Sequence, residues 1–251
     1  MEERLNKWLS QMGVCSRREA DRLIEAGKVL VDNRPASMGQ KVTPGQKVVC
    51  NGRMVRVDKS RKPRPVLLAV NKPRGIVCTT TDKDRAENIV DFLGYPERIY
   101  PVGRLDKDSE GLLLMTNQGD LVNKIMRSGN AHEKEYIVTI DKPVTEHFLE
   151  QMAGGIRLPE LDQVTRPCKV KKVERNTFSI ILTQGLNRQI RRMCEVCGCQ
   201  VRRLVRVRIM NIRLGNLRTG AYRQITKEEY EELTGLLKDS SSLSIKERKN
   251  R

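Results

Sequence analysis

The hydrophobic pattern predicts two helices followed by short strands over residues 1–60. The first helix is predicted from apolar residues spaced three and four positions apart, and Gly13 ends it. Those apolar residues are Leu5, Trp8, Leu9 and Met12. Ser16 and Glu19 then predict a capping box at the start of the second helix, in which each side chain bonds the other residue's amide. Asn51-Gly52 lies between two short β-type runs and predicts a hairpin, so we expect a compact α-then-β unit.

Residues 66–238 carry a longer mixed pattern that predicts a second domain. Its predicted strands are 66–71, 112–115, 136–140, 168–173, 178–182 and 201–212. Its predicted helices are 86–93, 120–127, 145–152 and 188–197, and a capping box at Thr226 and Glu229 opens a last helix. Because the strands are spaced irregularly, the pattern favours a mainly antiparallel sheet with helices packed on it, a fold of the α+β class. Residues 61–65 predict a charged linker, and residues 239–251 predict a disordered basic tail.

The charge balance indicates a polyanionic partner. The 251-residue chain has 48 Lys and Arg against 31 Asp and Glu, a formal net charge of +17. Such an excess is self-repulsive unless an anion offsets it, and the anion could be nucleic acid, anionic lipid or an acidic protein. Nucleic acid is favoured because no basic amphipathic helix carries the Trp or Phe side chains that a membrane surface would bind.

Other features of the composition favour a cytoplasmic protein. The apolar runs are far too short to span a membrane, and no apolar segment follows residues 1–4 as it would in a secretory signal. Seven scattered cysteines in such a chain are expected to be reduced thiols. The spacing Cys194-x-x-Cys197-x-Cys199 fits one helical turn better than a zinc site, because no second pair of cysteines is present.

Two basic clusters are candidates for contact with nucleic acid. Arg17, Arg18 and Arg34 lie near the start of the second helix and the turn after the next strand, where they form either a solvated face or a phosphate site. Residues 185–223 contain ten arginines and one acidic residue. The run 205–209 alternates apolar residues with arginine, so one face of a strand is predicted to pack. The other face is either merely solvated or in contact with RNA or DNA.

Few residues could carry catalysis by well-known routes. His132 and His147 are the only histidines, which argues against a zinc hydrolase or a His-dependent nucleophile, and no glycine-rich phosphate motif indicates a nucleotide cofactor. Gly103-Arg104-Leu105-Asp106 places a carboxylate on a turn before a predicted core strand. Asp106 is either part of a structural salt bridge or an ionised group that can attack or deprotonate a substrate.

Four motifs occur in an order that resembles a known enzyme family. They are Asn71-Lys72-Pro73-Arg74-Gly75, Gly103-Arg104-Leu105-Asp106, Lys134-Glu135-Tyr136 and Gly185-Leu186-Asn187-Arg188-Gln189-Ile190-Arg191-Arg192-Met193. In this order they resemble the RNA pseudouridine synthases of the RsuA/RluB/RluF type, and the last motif most resembles the RluF branch. Residues 1–60 resemble the S4-type RNA-binding domain that precedes the catalytic domain in that family. The resemblance covers residues 3–237.

The resemblance implies an activity and roles for individual residues. Members of the family convert uridine in RNA to pseudouridine without a cofactor or a metal, by breaking the N-glycosidic bond and rejoining the ring through carbon. Asp106 is implied to be the essential carboxylate, either as a nucleophile toward the sugar or base or as the base that removes the ribose 2′ proton. Tyr136 is implied to pack on the flipped uracil. Arg191, with Arg188 as the alternative, is implied to pair with Asp106.

The resemblance also implies contacts with RNA. Arg104 is expected to fill the stack that the uridine leaves or to hold the RNA backbone. The other expected RNA contacts are Arg17, Arg18, Arg34, Lys72, Arg188 and Arg192. Likeness to the RluF branch favours 23S ribosomal RNA as the substrate of a monomeric enzyme, with tRNA as a further candidate. The alternatives are an RsuA-like enzyme that acts on 16S ribosomal RNA and a non-catalytic RNA-binding or ribosome-assembly factor.

Overall fold

The structure, a computed structural model, describes residues 2–55, 64–79 and 87–240. The chain divides into two compact units, Met1–Arg64 and Pro65–Arg251. The division falls inside the predicted linker 61–65, of which 61–63 lie outside the described residues. Most of the predicted tail 239–251 also lies outside them.

The first unit packs two helices against short antiparallel strands. Its helices are α1 (Leu5–Gln11) and α2 (Arg17–Glu25). Its strands are β1 (Glu3–Arg4), β2 (Val29–Val31), β3 (Arg34–Pro35), β4 (Lys41–Val42), β5 (Val48–Cys50) and β6 (Arg53–Met54). β1 pairs with β4, and the other four form an antiparallel sheet in the order β3-β2-β5-β6. Apolar residues of both helices and of β2 and β5 form its core.

Turn and cap chemistry explains where these elements begin and end. Asn51 and Gly52, with φ of +49° and +72°, form the two-residue turn between β5 and β6 that the Asn-Gly pair predicts. The Ser16 side chain accepts a hydrogen bond from the amide of Glu19 and caps α2, as predicted. The Glu19 carboxylate pairs with Arg22 at 3.2 Å instead of completing the predicted capping box.

The second unit is a large sheet with helices on both faces. Its helices are α3 (Ile89–Leu93), α4 (Gly119–Met126), α5 (Glu146–Gly154), α6 (Gln189–Val196) and α7 (Lys227–Leu236). The strands of its first half are β7 (Leu67–Lys72), β8 (Tyr100–Val102), β9 (Glu110–Thr116), β10 (Lys134–Ile140), β11 (Arg157–Leu158) and β12 (Gln163–Val164). The later strands are β13 (Lys169–Glu174), β14 (Thr177–Leu182), β15 (Val201–Ile209), β16 (Ile212–Arg213) and β17 (Tyr222–Gln224).

The sheet consists of two antiparallel halves that meet at β15 and β9. Its order is β13-β14-β10-β15-β9-β7-β17, with β8 paired to β9 and β16 paired to β15. β15 and β9 are parallel, the one such pair among the described strands, and they share only the pairs Val205–Glu110 and Arg206–Gly111. The junction between the halves is therefore short, and the loop that precedes β9 ends beside it.

Each half of the sheet has its own core. Val138, Phe148, Phe178 and Met193 belong to a cluster that joins β10 and β14 to α5 and α6. β7 and β9 are buried on both faces, because alternate residues of each strand enter two different clusters. The α+β class with a mainly antiparallel sheet is therefore confirmed.

The structure also departs from the predicted elements. The predicted strand 201–212 ends at Ile209, because Met210 adopts a left-handed conformation (φ +52°) and the chain turns back into β16. β8 and β17 are too short to stand out as hydrophobic runs and were missed. The predicted capping box at Thr226 and Glu229 is present and opens α7.

Candidate active site

Asp106 lies in the loop 103–109, which connects β8 to β9. Gly103 begins the loop with φ of +77°, and a Cβ atom there would collide with the Met126 side chain. The Asp106 carbonyl accepts a hydrogen bond from the amide of Ser109 at 3.0 Å, which closes a tight turn. Leu105 and Ser109 are buried on either side, whereas Asp106 itself is half-buried.

Lys72, the last residue of β7, holds this loop through its backbone. The side chain is 0 % exposed, and its Nζ donates to the carbonyls of Pro73 at 2.9 Å, Lys107 at 3.4 Å and Ser109 at 2.8 Å. Burial lowers the pKa of Lys72, and nearby groups that include Asp106 act in the opposite direction. The predicted contact of Lys72 with RNA is therefore wrong, because its ammonium group is enclosed by carbonyls that need a donor.

Arg191 approaches the same loop from α6. Its Nη2 donates to the carbonyl of Asp108 at 3.1 Å and to Oγ of Ser109 at 3.5 Å. Within the described residues, Arg191 forms no ion pair with Asp106, so the implied pairing is corrected to contacts with the Asp106 loop. The charges still interact: burial and then Arg188 lower the pKa of Arg191, and Asp106 acts against them.

Arg206 reaches the loop from β15. Its side chain is 1 % exposed, its Nε donates to the carbonyl of Leu112 at 2.7 Å, and its Nη1 donates to the carbonyl of Arg104 at 3.4 Å. Gly111 allows the strands to approach, since a Cβ atom there would collide with the Arg206 carbonyl and lie 2.8 Å from the Arg206 nitrogen.

Arg208 is also bound within the protein. It forms ion pairs with Glu133 at 2.9 Å and with Glu135 at 2.8 Å. Arg206 and Arg208, the arginines of run 205–209, are therefore bound within the protein, so neither predicted alternative for their face of the strand, mere solvation or contact with nucleic acid, describes it. Their partners come from β9, β10 and the loops before these strands, which the alternation itself cannot reveal.

Tyr136 lies between the two halves of the sheet. It is opposite Arg206 in the pairing of β10 with β15, next to an irregularity in the register between Glu135 and Tyr136. Its half-buried ring packs against two clusters, one containing Phe178 and the other containing Leu105, the residue before Asp106. The structure therefore brings Tyr136 to the Asp106 loop.

The arrangement leaves the Asp106 carboxylate available for chemistry. Lys72, Arg191 and Arg206 bind four carbonyls of the loop 103–109, those of Arg104, Lys107, Asp108 and Ser109. Among the residues that the structure describes, the Asp106 side chain accepts no hydrogen bond and forms no ion pair. A carboxylate on a fixed backbone with unoccupied oxygens can accept a proton or form a bond to carbon.

The cysteines and histidines are not arranged as a metal site. No group of three or more His, Cys, Asp or Glu side chains within the described ranges could hold a metal ion. All seven cysteines are free, and burial raises the pKa of Cys194, so that thiol is protonated near neutral pH. None of the helices in residues 2–55, 64–79 and 87–240 has the length and apolarity that a membrane crossing requires.

Comparisons with known proteins agree with this site. Residues 66–196 match the family described as RNA pseudouridylate synthase, and residues 3–48 match the S4 domain. The dual-specificity RNA pseudouridine synthase RluF of Escherichia coli strain K12 is 52 % identical over 239 residues, which cover 95 % of this chain and 81 % of RluF. The chain belongs to the RNA pseudouridine synthases. It is an isomerase that converts uridine to pseudouridine, and its S4 domain binds RNA.

Further relatives also match nearly the whole chain. The ribosomal large subunit pseudouridine synthase B of Bacillus subtilis strain 168 is 36 % identical, over 93 % of this chain and 96 % of its own. The crystal structure of a pseudouridylate synthase matches with a TM-score of 0.67 and 27 % identity, and the match covers 92 % of this chain and 99 % of that one. The resemblance found from four short motifs is thereby confirmed over nearly the whole chain.

The residues expected to contact RNA have different surroundings in the enzyme. Arg17 and Arg18 are exposed in the first turn of α2, and Arg34 is exposed in β3. In the second unit, Arg104 and Arg188 are exposed, and Arg188 occupies the N-cap position of α6 in a left-handed conformation (φ +50°) without a capping bond from its side chain. Contact with RNA stays a prediction for these residues.

Arg192 is engaged within the protein. It forms an ion pair with Glu160 and donates through Nε to the carbonyl of Asn187 at 3.1 Å. Its predicted contact with RNA is untested, and it would require the guanidinium to exchange or share these partners.

Sequence reasoning missed three residues of the site. The alternating pattern predicts an exposed strand face for Arg206, Cys78 is one of seven scattered thiols, and Gly111 lies just outside the predicted strand 112–115. A glycine at the start of an apolar strand is a recognised sign of close backbone approach, so Gly111 could have been found. Nothing local marks Cys78, whose Sγ accepts a hydrogen bond from the amide of Leu105 at 3.4 Å.

Proposed function

We propose that this enzyme isomerises one specific uridine in 23S ribosomal RNA. The observation that carries the proposal is the loop 103–109, in which the buried Lys72 and Arg206 and the half-buried Arg191 bind backbone carbonyls and leave the Asp106 carboxylate free. The large ribosomal subunit is chosen because a relative 36 % identical to this chain is named a ribosomal large subunit pseudouridine synthase. The 52 % identity to RluF supports the same branch of the family.

Asp106 is the catalytic residue in this proposal. The reaction breaks the bond between N1 of uracil and C1′ of ribose and forms a bond between C5 and C1′. The proton on C5 is lost to solvent and N1 gains one, so the net change is an isomerisation that needs no redox partner. The carboxylate supplies either the nucleophile or the base for this exchange.

The other site residues hold the uridine outside its helix. Extruding a nucleotide from a stack costs a few kcal/mol, which contacts with the protein must offset. Tyr136 packs on the flipped base, and Arg104, which is exposed in the loop 103–109, fills the vacated position or holds the RNA backbone. Arg191 keeps positive charge near Asp106 while it binds the loop.

The basic surface supplies affinity for RNA. With a net charge of +17, the chain gains binding free energy by releasing counterions from RNA phosphates. Arg17, Arg18 and Arg34 are the contacts assigned to the S4 domain, and Arg188 and Arg192 are those assigned to the catalytic domain. The enzyme is proposed to act as a monomer in the cytoplasm, where ribosomal RNA is processed.

The proposal is tested by incubating the purified full chain with unmodified transcripts of 23S ribosomal RNA, 16S ribosomal RNA and tRNA. Pseudouridines are mapped afterwards by carbodiimide labelling and primer extension. We expect one modified position in 23S ribosomal RNA. Modification of 16S ribosomal RNA alone would support the RsuA-like alternative, and binding without product on every RNA would support a non-catalytic factor; either result contradicts the proposal.

A further inference from the structure

The peptide group that joins Arg104 to Leu105 is held at both of its polar ends. Its carbonyl oxygen accepts a hydrogen bond from Nη1 of Arg206 at 3.4 Å. Its N–H donates to Sγ of Cys78 at 3.4 Å. We call this planar unit the 104–105 peptide. Because a peptide group is rigid, fixing both ends sets the direction in which the chain continues into Asp106.

The two groups that hold this peptide are a buried arginine and a half-buried thiol. Arg206 is 1 % exposed, and its Nε donates to the carbonyl of Leu112 in β9 at 2.7 Å. Burial raises the pKa of the Cys78 thiol, although the Leu105 amide and the charges of Lys72 and Arg206 oppose this. The Cys78 sulfur is therefore a neutral acceptor near neutral pH.

Stability alone does not explain the presence of Arg206. Its Nη2 is buried and has no hydrogen-bond partner among the described residues. An unpaired buried donor is destabilising, because its lost hydration is not replaced by another hydrogen bond. The penalty at Nη2 points to a role in the site for the two bonds that Nε and Nη1 do make.

Arg206 also connects the Asp106 loop to Tyr136. In the sheet it is opposite Tyr136 on β10 and opposite Gly111 on β9, at the short junction between the two halves. One side chain thus extends from the strand pair that holds Tyr136 to the peptide that precedes Asp106.

We propose that Arg206 is a positioning residue that, together with Cys78, fixes the 104–105 peptide and so sets the place of Asp106 relative to Tyr136. This inference rests on the proposed function, in which Asp106 and Tyr136 act on the same flipped uridine. Arg206 does not touch the RNA in this arrangement. Displacement of a reacting group by ~1 Å lowers a rate by about 100-fold, so loss of the Arg206 bond is expected to affect the chemical step.

The test measures single-turnover formation of pseudouridine by the full chain on ribosomal RNA that lacks the modification. The dissociation constant for RNA and the thermal unfolding temperature are measured in parallel. Arg206→Lys keeps a buried positive charge but cannot bind the carbonyls of Arg104 and Leu112 with the planar geometry of a guanidinium. We expect its saturating rate to fall by about 100-fold with an unchanged dissociation constant.

Two substitutions at Cys78 test the other end of the peptide. Cys78→Ser keeps an acceptor for the Leu105 amide and should retain the wild-type rate. Cys78→Ala removes the acceptor and should lower the rate by about tenfold, the equivalent of one hydrogen bond. These variants decide the question if Arg206→Lys does not fold. Arg157→Met, which removes an exposed arginine paired with Asp162, is the control and should keep the wild-type rate.

The possible outcomes separate this inference from the proposed function. If the wild type forms pseudouridine and Arg206→Lys forms it at the same rate, the positioning role is overturned and the proposed function stands. Equal rates in Cys78→Ser and Cys78→Ala, or a change confined to RNA affinity in Arg206→Lys, would also overturn it. Absence of product from the wild-type chain would overturn the proposed function, and the positioning role with it.

Discussion

Lys134 should make the stability of the enzyme rise with pH in the weakly alkaline range. The side chain is 4 % exposed at the start of β10, and its Nζ donates to the carbonyl of His132 at 2.9 Å. Burial, and then the positive charge of Arg206, lower the pKa of Lys134 from 10.5 to about 8. The folded protein therefore releases this proton at a lower pH than the unfolded chain does.

The sign and size of the effect follow from proton linkage. Below about pH 8, Lys134 is charged in both states, and the folded state carries the full penalty for burying the charge. Between about pH 8 and 10.5, the folded state is neutral at this position while the unfolded chain still binds the proton, so stability increases with pH. Each unit of difference in pKa corresponds to about 1.4 kcal/mol, which gives about 3 kcal/mol in total and roughly 2.5 kcal/mol from pH 7 to pH 10.

The assay compares the wild type with Lys134→Met by urea unfolding at several pH values from 7 to 10. Groups that titrate in both proteins contribute equally to the two free energies of unfolding, so their contributions cancel in the difference. We expect the wild type to gain roughly 2.5 kcal/mol relative to Lys134→Met over this range. Lys171→Met removes an exposed ammonium from β13 and serves as the control, with a constant difference. A difference for Lys134→Met that stays constant, or that falls as the pH rises, would refute the reasoning.

Three other experiments test how the site and the RNA contacts are built. Lys72→Met removes the donor of three carbonyls, so urea unfolding should show a loss of about 3 kcal/mol, and an unchanged stability would contradict the buried contacts. Gly111→Ala places a Cβ atom against the β15 backbone and should lower the free energy of unfolding by about 3 kcal/mol. The control Gly235→Ala lies in open space within α7 and should raise it by up to about 1 kcal/mol. Similar effects of the two substitutions would argue against the close approach of β9 to β15 at Gly111. Arg17→Gln with Arg18→Gln should reduce the salt dependence of RNA binding by about 0.7 in slope for each lost phosphate contact, and an unchanged slope would remove α2 from the RNA interface.

Several features that depend only on residues close together in the sequence were predicted correctly. The capping box at Thr226 and Glu229 forms with distances of 3.2 and 3.0 Å, because both partners lie within one helical turn. The Asn51-Gly52 turn likewise depends only on two residues that tolerate positive φ. The position of Asp106 before a core strand was also visible, since a polar turn followed by a buried run requires only neighbouring residues.

The support of the site could not be predicted because it depends on contacts between distant parts of the chain. Lys72 binds a carbonyl 35 residues away, and Arg206 binds one 102 residues away. Both cations bind backbone carbonyls, which every residue has. No acidic residue at a particular position in the sequence therefore indicates that they are buried. The sequence therefore predicts surface positions for Lys72 and Arg206, although the charge balance correctly favours a nucleic-acid-binding protein.

The central claim, that the Asp106 carboxylate performs the isomerisation, is tested most directly by Asp106→Asn. The measurement is the single-turnover rate of pseudouridine formation on ribosomal RNA together with the dissociation constant, with the exposed Asp162→Asn as the matched control. The account predicts that Asp106→Asn slows the reaction by about 10³-fold or more and binds RNA as the wild type does, while Asp162→Asn is unaffected. Pseudouridine formed by Asp106→Asn at the wild-type rate would contradict the account.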